Sequence, residues 1–179
     1  MRHESLADGP ANTYFFSNMS PQRPLLNRGM WRWLEESVRA WAAQFSELNV
    51  FTGTVFLGTS HSLAGGDVGI PRECFKIVVR KSDTGDPDGL AFLLIHGAKL
   101  PIPPGTQGVP GPRISATAAN QYLESRLTNI AALAHLTGID FFPDLATGQR
   151  VALENAAPAQ LWPADFAATH RPESCSPPK

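Results

Sequence analysis

"SNMSPQRPLLNRGMWRWLEESVRAW" runs from Ser17 to Trp41. It places Asn18, Gln22 and Asn27, with Arg23 and Arg28, immediately before a tryptophan-rich segment. Met30, Leu34, Val38, Trp41 and Phe45 recur at helical spacing, which predicts an amphipathic helix with one apolar stripe. Pro21 and Pro24 punctuate the turn before it, and Asn27 is placed to cap or open the helix. An amide buried without a partner costs free energy, so such a cluster beside an apolar face serves either packing or chemistry. At about 100° per residue, Asn27, Trp31 and Glu35 fall within an arc of about 80° along one edge of the stripe.

Working outward, "TYFF" (13–16) has the β-branched and aromatic composition of a short strand. "NVFTGTVFL" (49–57) reads as a buried strand with Gly53 as a kink or bulge. A Gly-rich loop leads to "CFKIVVR" (74–80), an Asp-Gly-type turn follows, and "LAFLLIHG" (90–97) makes a further apolar strand. Successive strands joined by turns predict an antiparallel sheet. The Pro/Gly loop 101–112 is expected to be ordered by packing alone. Residues 116–137 have helical composition, with Tyr122, Leu123, Leu127, Ile130, Leu133 and Leu136 as core candidates and Gly138 as the stop. "IDFFPDL" then packs a last apolar segment. Residues 1–148 form the predicted domain. Residues 149–179 read as a partly disordered Pro/Ala/Ser-rich tail in which Leu161, Trp162 and Phe166 are able to dock onto the body.

The 179 residues suit one domain with its own core. They are 42% apolar and 17% charged, with a net charge of −1. Domains that hold nucleic acid by electrostatics alone are far more basic, so a nucleic-acid partner here requires local contact or a metal. No run approaches the roughly 18 apolar residues of a membrane helix, and the N-terminus carries no signal-peptide h-region. Cys74 reads as a buried thiol, and Cys175 lies in the tail; the two are not expected to pair.

The opening stretch resembles the DNA/RNA non-specific endonucleases of the ββα-metal (His-Me finger) type, the group that includes endonuclease G. The shared pattern covers Ser17, Asn18, Pro21, Gln22, Asn27, Gly29, Trp31, Leu34 and Glu35 without a gap. "VGIPRECFKIVV", "AFLL" and "LTGIDFFPDL" follow in the family's order. The resemblance implies an α+β fold with an antiparallel central sheet flanked by helices. It also implies hydrolysis of phosphodiester bonds in DNA and RNA with Mg²⁺, or Mn²⁺ in its place, held by one asparagine and several waters. Carried over, the metal ligand is Asn27. Glu35 hydrogen-bonds the metal's waters, and Asn18 and Gln22 support the site. An oxygen ligand suits Mg²⁺, which keeps most of its waters. Arg28 and Arg32, four apart, either touch phosphates or form a solvated face. Trp31, Trp33 and Trp41 are expected to pack rather than stack on bases, His61 to be solvent-exposed, and His96 to be structural.

The family's general-base histidine belongs to a D-R-G-H motif, which this sequence lacks; His3 has neither the position nor the flanks. The expectation is that the first finger strand lies upstream of Met1, with secretion or a periplasmic location open on that account. General-base catalysis contributes typically about 10²–10⁴-fold, so the chain alone is expected to cleave little or not at all. The rival expectation is a non-catalytic nucleic-acid-binding or interaction module on the same scaffold. Oligomeric state is not legible, although a homodimer is compatible with the reading.

Overall fold

The run Cys74–Val79 lies in the middle strand of a layered structure and explains its architecture. The computed structural model describes residues 20–56, 62, 66, 68–97 and 99–167. Strands β1 (Leu48–Val55), β2 (Glu73–Lys81), β3 (Pro87–Ile95) and β4 (Leu127–Thr128) form one sheet in the order β1-β2-β3-β4, antiparallel throughout. Side chains alternate across a strand with period 2, yet β2 is buried at every position from Cys74 to Val79 because both sheet faces are covered. On one face Cys74, Val78, Leu90, Phe92 and Leu94 pack against Leu26, Met30, Leu34 and Trp41. On the other, Phe75, Ile77, Val79 and Ala91 pack against Ile130, Leu133, Phe141 and Leu153. The expected α+β fold with an antiparallel sheet flanked by helices is what forms.

The first face is covered by a π-helical turn (Leu26–Trp31) running into α1 (Arg32–Gln44). Met30, Leu34 and Trp41 of the predicted stripe are fully buried. Residues 116–137 form two helices rather than one: α2 (Ala116–Glu124) and α3 (Ile130–Thr137), with β4 between them. The reason is local. Asn129 caps α3 by accepting from the Ala132 N–H at 2.7 Å, and Ser115 caps α2 by accepting from Ala118, so two helix starts are encoded in place of one. Gly138 stops α3 with φ 70°, as expected.

Gly53 produces no bulge. β1 and β2 stay in register through Gly53 and Phe75, and a Cβ at position 53 would lie 2.5 Å from the Phe75 ring. The glycine makes room for an aromatic ring. The loop 101–112 is tied by hydrogen bonds as well as packing: Ile102 pairs with Pro112 and Ile114 at 2.9 Å, and Arg113 donates to the Thr106 carbonyl at 2.9 Å.

From residue 149 to 167 the chain remains part of the body. Helix α4 (Thr147–Asn155) buries Leu153 against β3. Residues 156–167 then cross α1 as a strap. Trp162 meets Trp41 and Phe45 edge-on, with ring centroids at 5.3 and 5.6 Å. The Trp41 indole N–H donates to the Trp162 carbonyl at 3.0 Å. The Arg80 guanidinium lies 4.4 Å from the Phe45 ring centroid and 4.6 Å from that of Trp162. The docking expected of Leu161, Trp162 and Phe166 is therefore observed. Among the described residues no helix is long and apolar enough to cross a membrane.

Candidate active site

The turn that presents Asn27 is anchored before it begins. Pro24 opens the helical segment, a position where its missing N–H costs nothing. The Arg23 carbonyl accepts from the N–H groups of Leu26 and Asn27, each at 3.0 Å. Arg23 in turn donates its own N–H to His96 Nε2, and His96 Nδ1 donates to the Pro71 carbonyl at 2.8 Å. That pair of bonds assigns His96 the Nδ1–H form, and the buried imidazole ties the turn to the ends of β2 and β3. His96 is structural, as expected. Ser20 and Thr54 hydroxyls meet at 3.3 Å and add a link to β1.

From Leu26 to Trp31 the backbone is π-helical, with Gly29 non-helical at φ −100°, ψ −112°. The uniform 100° projection used for the sequence therefore breaks between Asn27 and Trp31. It holds from Trp31 to Glu35, one turn apart on regular helix. π-Helical turns recur at functional sites because they re-aim one side chain without ending the helix.

The outcome for each predicted residue differs. Asn27 is exposed, and its side chain has no hydrogen bond to another described residue. Glu35 is half-buried and likewise forms no hydrogen bond or ion pair with a described residue. Gln22 donates its amide N–H to Cys74 Sγ at 3.6 Å, so its side chain faces the core side of β2. Arg28 is exposed above Gly108 of the 101–112 loop. The Arg32 guanidinium is committed to that loop: it pairs with Glu36 and donates to the Pro104 carbonyl at 2.7 Å and to Thr106 at 3.2 Å. Asn18 lies outside the described residues, as do 13–16 and His61.

Two residues around Trp31 and Glu35 carry charge that the sequence reading gave no role. Lys76 projects from β2 toward the helix, is 6% exposed, and donates to Thr52 at 2.8 Å. Its ammonium stands 4.7 Å from the Trp31 ring centroid. Burial lowers its pKa, the field of Glu35 opposes that, and Arg39 reinforces it. Arg39 is exposed, one turn beyond Glu35. A lone lysine inside an apolar strand, and an arginine four residues after the glutamate, are the signals that could have found them.

Arg39 also lines a cleft of about 490 Å³ with Arg32, Trp33, Glu36, Pro104, Gly105 and Phe166. Trp33 donates its indole N–H to Asn120 at 2.9 Å and stacks on Phe166 at 5.3 Å, and Trp31, Trp33 and Trp41 are all buried. Packing is their role here.

Among the described residues, no three His, Cys, Asp or Glu side chains group to hold a metal ion. An oxygen-ligated Mg²⁺ that keeps several waters needs no such cluster. An exposed amide oxygen without a partner among the described residues, with a carboxylate eight residues along the chain, fits that mode of binding.

Cys74 is a buried free thiol. Burial pushes its pKa up to about 11, against smaller opposing effects of the Gln22 hydrogen bond and the Lys76 charge. Iodoacetamide at pH 8 is expected to alkylate Cys74 at least about 100-fold more slowly in native protein than in urea, because thiolate is the reacting form. Peptide mass spectrometry measures it; equal rates would show that the burial of Cys74 does not persist in solution.

A model of the DNA/RNA non-specific endonuclease family matches residues 2–148, and the chain belongs to that family. Nuclease C1 of Cunninghamella echinulata var. echinulata is 33% identical over 88 residues, covering 42% of this chain and 35% of the relative. Among solved structures, the EndoG/EndoGI complex, whose subject is the mechanism of EndoG inhibition, aligns with a TM-score of 0.54 at 20% identity. That alignment covers 77% of this chain and 54% of the other. This second likeness shows the fold. The chain thus spans about a third and about half of these two proteins.

Proposed function

We propose that this chain carries the metal site of an endonuclease that hydrolyses phosphodiester bonds of DNA and RNA, with Mg²⁺ or Mn²⁺ bound at Asn27. The observation that carries the reading is Asn27, exposed and without a side-chain hydrogen bond to another described residue, on an anchored π-helical turn within the family's sequence pattern. A divalent cation there supplies Lewis-acid neutralisation of the charge that develops at phosphorus and on the leaving oxygen. The protein's own work is positional. Asn27 would offer an amide oxygen, Glu35 would accept hydrogen bonds from the metal's waters, and Arg28 and Arg39 are exposed cations able to approach phosphates. Gln22 supports the site indirectly, by fixing the turn against Cys74. Arg32 contributes through the loop it holds. Asn18 retains the supporting role that the family pattern gives it.

A second reading, a nucleic-acid-binding module without catalysis, is favoured by the missing D-R-G-H motif. Plasmid nicking in Mg²⁺ with added imidazole separates the two. A catalytic chain nicks slowly, is stimulated by imidazole acting as a general base, and is silenced by EDTA and by Asn27→Ala. DNA binding with no nicking under any of these conditions selects the second reading. Nicking that survives Asn27→Ala overturns the proposed site.

A further inference from the structure

One guanidinium, that of Arg32, joins the π-helical turn, helix α1 and the 101–112 loop. Its Nε donates to the Arg28 carbonyl at 3.1 Å, and a second nitrogen pairs with Glu36. The third donates to the Pro104 carbonyl at 2.7 Å and to the Thr106 hydroxyl at 3.2 Å. The first of these bonds answers the irregular backbone. In a regular helix the Arg32 backbone N–H would bond to the Arg28 carbonyl, four residues back. Here it bonds to the Gly29 carbonyl, and the side chain of the same residue donates to Arg28.

The loop is shaped to receive both the kink and the guanidinium. A Cβ at position 29 would lie 3.9 Å from the Pro101 carbonyl oxygen and from Pro103 Cδ, so the kink rests against the loop. Gly105, at φ 72°, takes the left-handed conformation that favours glycine, and a Cβ there would lie 3.5 Å from the Arg32 guanidinium. Thr106 is 3% exposed, and a second arginine, Arg113, donates to its carbonyl at 2.9 Å. Asn27 directly precedes Arg28, and its own N–H is bonded to the Arg23 carbonyl at 3.0 Å. The backbone is therefore held on both sides of the Asn27 side chain, by Arg23 before it and by Arg32 after it. Lysine carries its three N–H groups on one nitrogen, whereas the four acceptors here are met by three nitrogens of a planar fork.

Resting on the nuclease reading above, we propose that Arg32 is a positioning residue for cation binding: by fastening the Arg28 carbonyl to the 101–112 loop, it keeps the Asn27 backbone in a single conformation before a divalent cation arrives. A ligand that is already ordered loses less conformational freedom on binding, and that saving appears as affinity. A strut that only stabilised the fold would leave the affinity of folded protein unchanged.

The test uses the full chain at a temperature where each variant is fully folded. Mn²⁺ affinity is read from the electron paramagnetic resonance signal of free ion, and backbone order at residues 27–30 from amide nitrogen relaxation of the metal-free protein. Arg32→Lys, which keeps the charge, is expected to weaken Mn²⁺ binding about tenfold. It is expected to lower the order parameters of those amides from about 0.85 to below about 0.6. Thr106→Val removes one loop acceptor and keeps the bond to Arg28. It is expected to weaken Mn²⁺ binding about two- to threefold, and it carries the test should the Lys variant fail to fold. Unaltered Mn²⁺ affinity in either folded variant, or unaltered amide order in Arg32→Lys, overturns the inference and leaves the nuclease reading, which Asn27→Ala tests, standing. Wild-type protein that does not bind Mn²⁺ overturns both.

Discussion

Replacing Asn27 by alanine is expected to lower divalent-cation affinity by at least about tenfold while shifting unfolding free energy by no more than about 0.5 kcal/mol. The two halves of this expectation have separate grounds. Removing even a residue that supports a metal ligand typically costs about 10–100-fold in metal affinity, and on the site proposed above Asn27 would be the protein's own oxygen ligand, whose loss matters at least as much. Stability is spared because the side chain is exposed and holds no described partner; the turn is secured by backbone bonds to Arg23 and by His96. Were Asn27 a structural cap instead, alanine would cost about 0.5–2 kcal/mol. Chemical denaturation alongside Mn²⁺ titration distinguishes the cases. Lost stability with retained metal affinity would return Asn27 to a capping role.

Trp41→Ala is expected to cost about 3–5 kcal/mol, the largest single-site loss in the molecule and a large share of a typical domain's stability. Trp41 is fully buried between the sheet and the strap. Its removal leaves a cavity, deprives the Trp162 carbonyl of a donor, and breaks the edge-on ring contact at 5.3 Å. With that contact gone, residues 156–167 lose their main anchor to α1. Urea denaturation should show a lowered midpoint, and limited proteolysis should cut the strap first. Trp41→Phe, which keeps a ring but no N–H, should recover more than half of the loss. An alanine variant with unaltered midpoint would mean that the strap does not pack on α1 in solution.

Strands and the first helix were legible because their hydrophobic periods are unambiguous: Met30 to Trp41 at helical spacing, and β2 and β3 as apolar runs bounded by turn residues. Elsewhere, local signals were outweighed by their context. Residues 116–137 look like one helix by composition, but the caps at Ser115 and Asn129 divide them. Gly53 carries the signature of a bulge, yet its function is to clear the Phe75 ring, a contact between strands that a single strand's sequence does not reveal. The Pro- and Ala-rich end has the composition of a tail, and only the three-dimensional placement of Trp41, Phe45 and Arg80 shows what Trp162 docks against.

At the site the division is similar. The pattern from Pro21 to Glu35 located the turn, and Asn27 and Glu35 form no hydrogen bond or ion pair with another described residue. The same pattern could not show that Gln22 is turned toward Cys74, or that Arg32 holds the loop at Pro104 and Thr106. Both depend on elements distant in the chain. The Gly29 kink, which sets the direction of Asn27 relative to Trp31, is invisible to any projection that assumes a regular helix.

Paramagnetic broadening of side-chain NMR signals by substoichiometric Mn²⁺ tests the central claim most directly. The account predicts that the Asn27 amide and the Trp31 indole N–H broaden first, and that Asn27→Ala removes the effect at Trp31. Early broadening at the acidic β2–β3 turn, around Asp83 and Asp86, with Asn27 and Trp31 sharp, would contradict it.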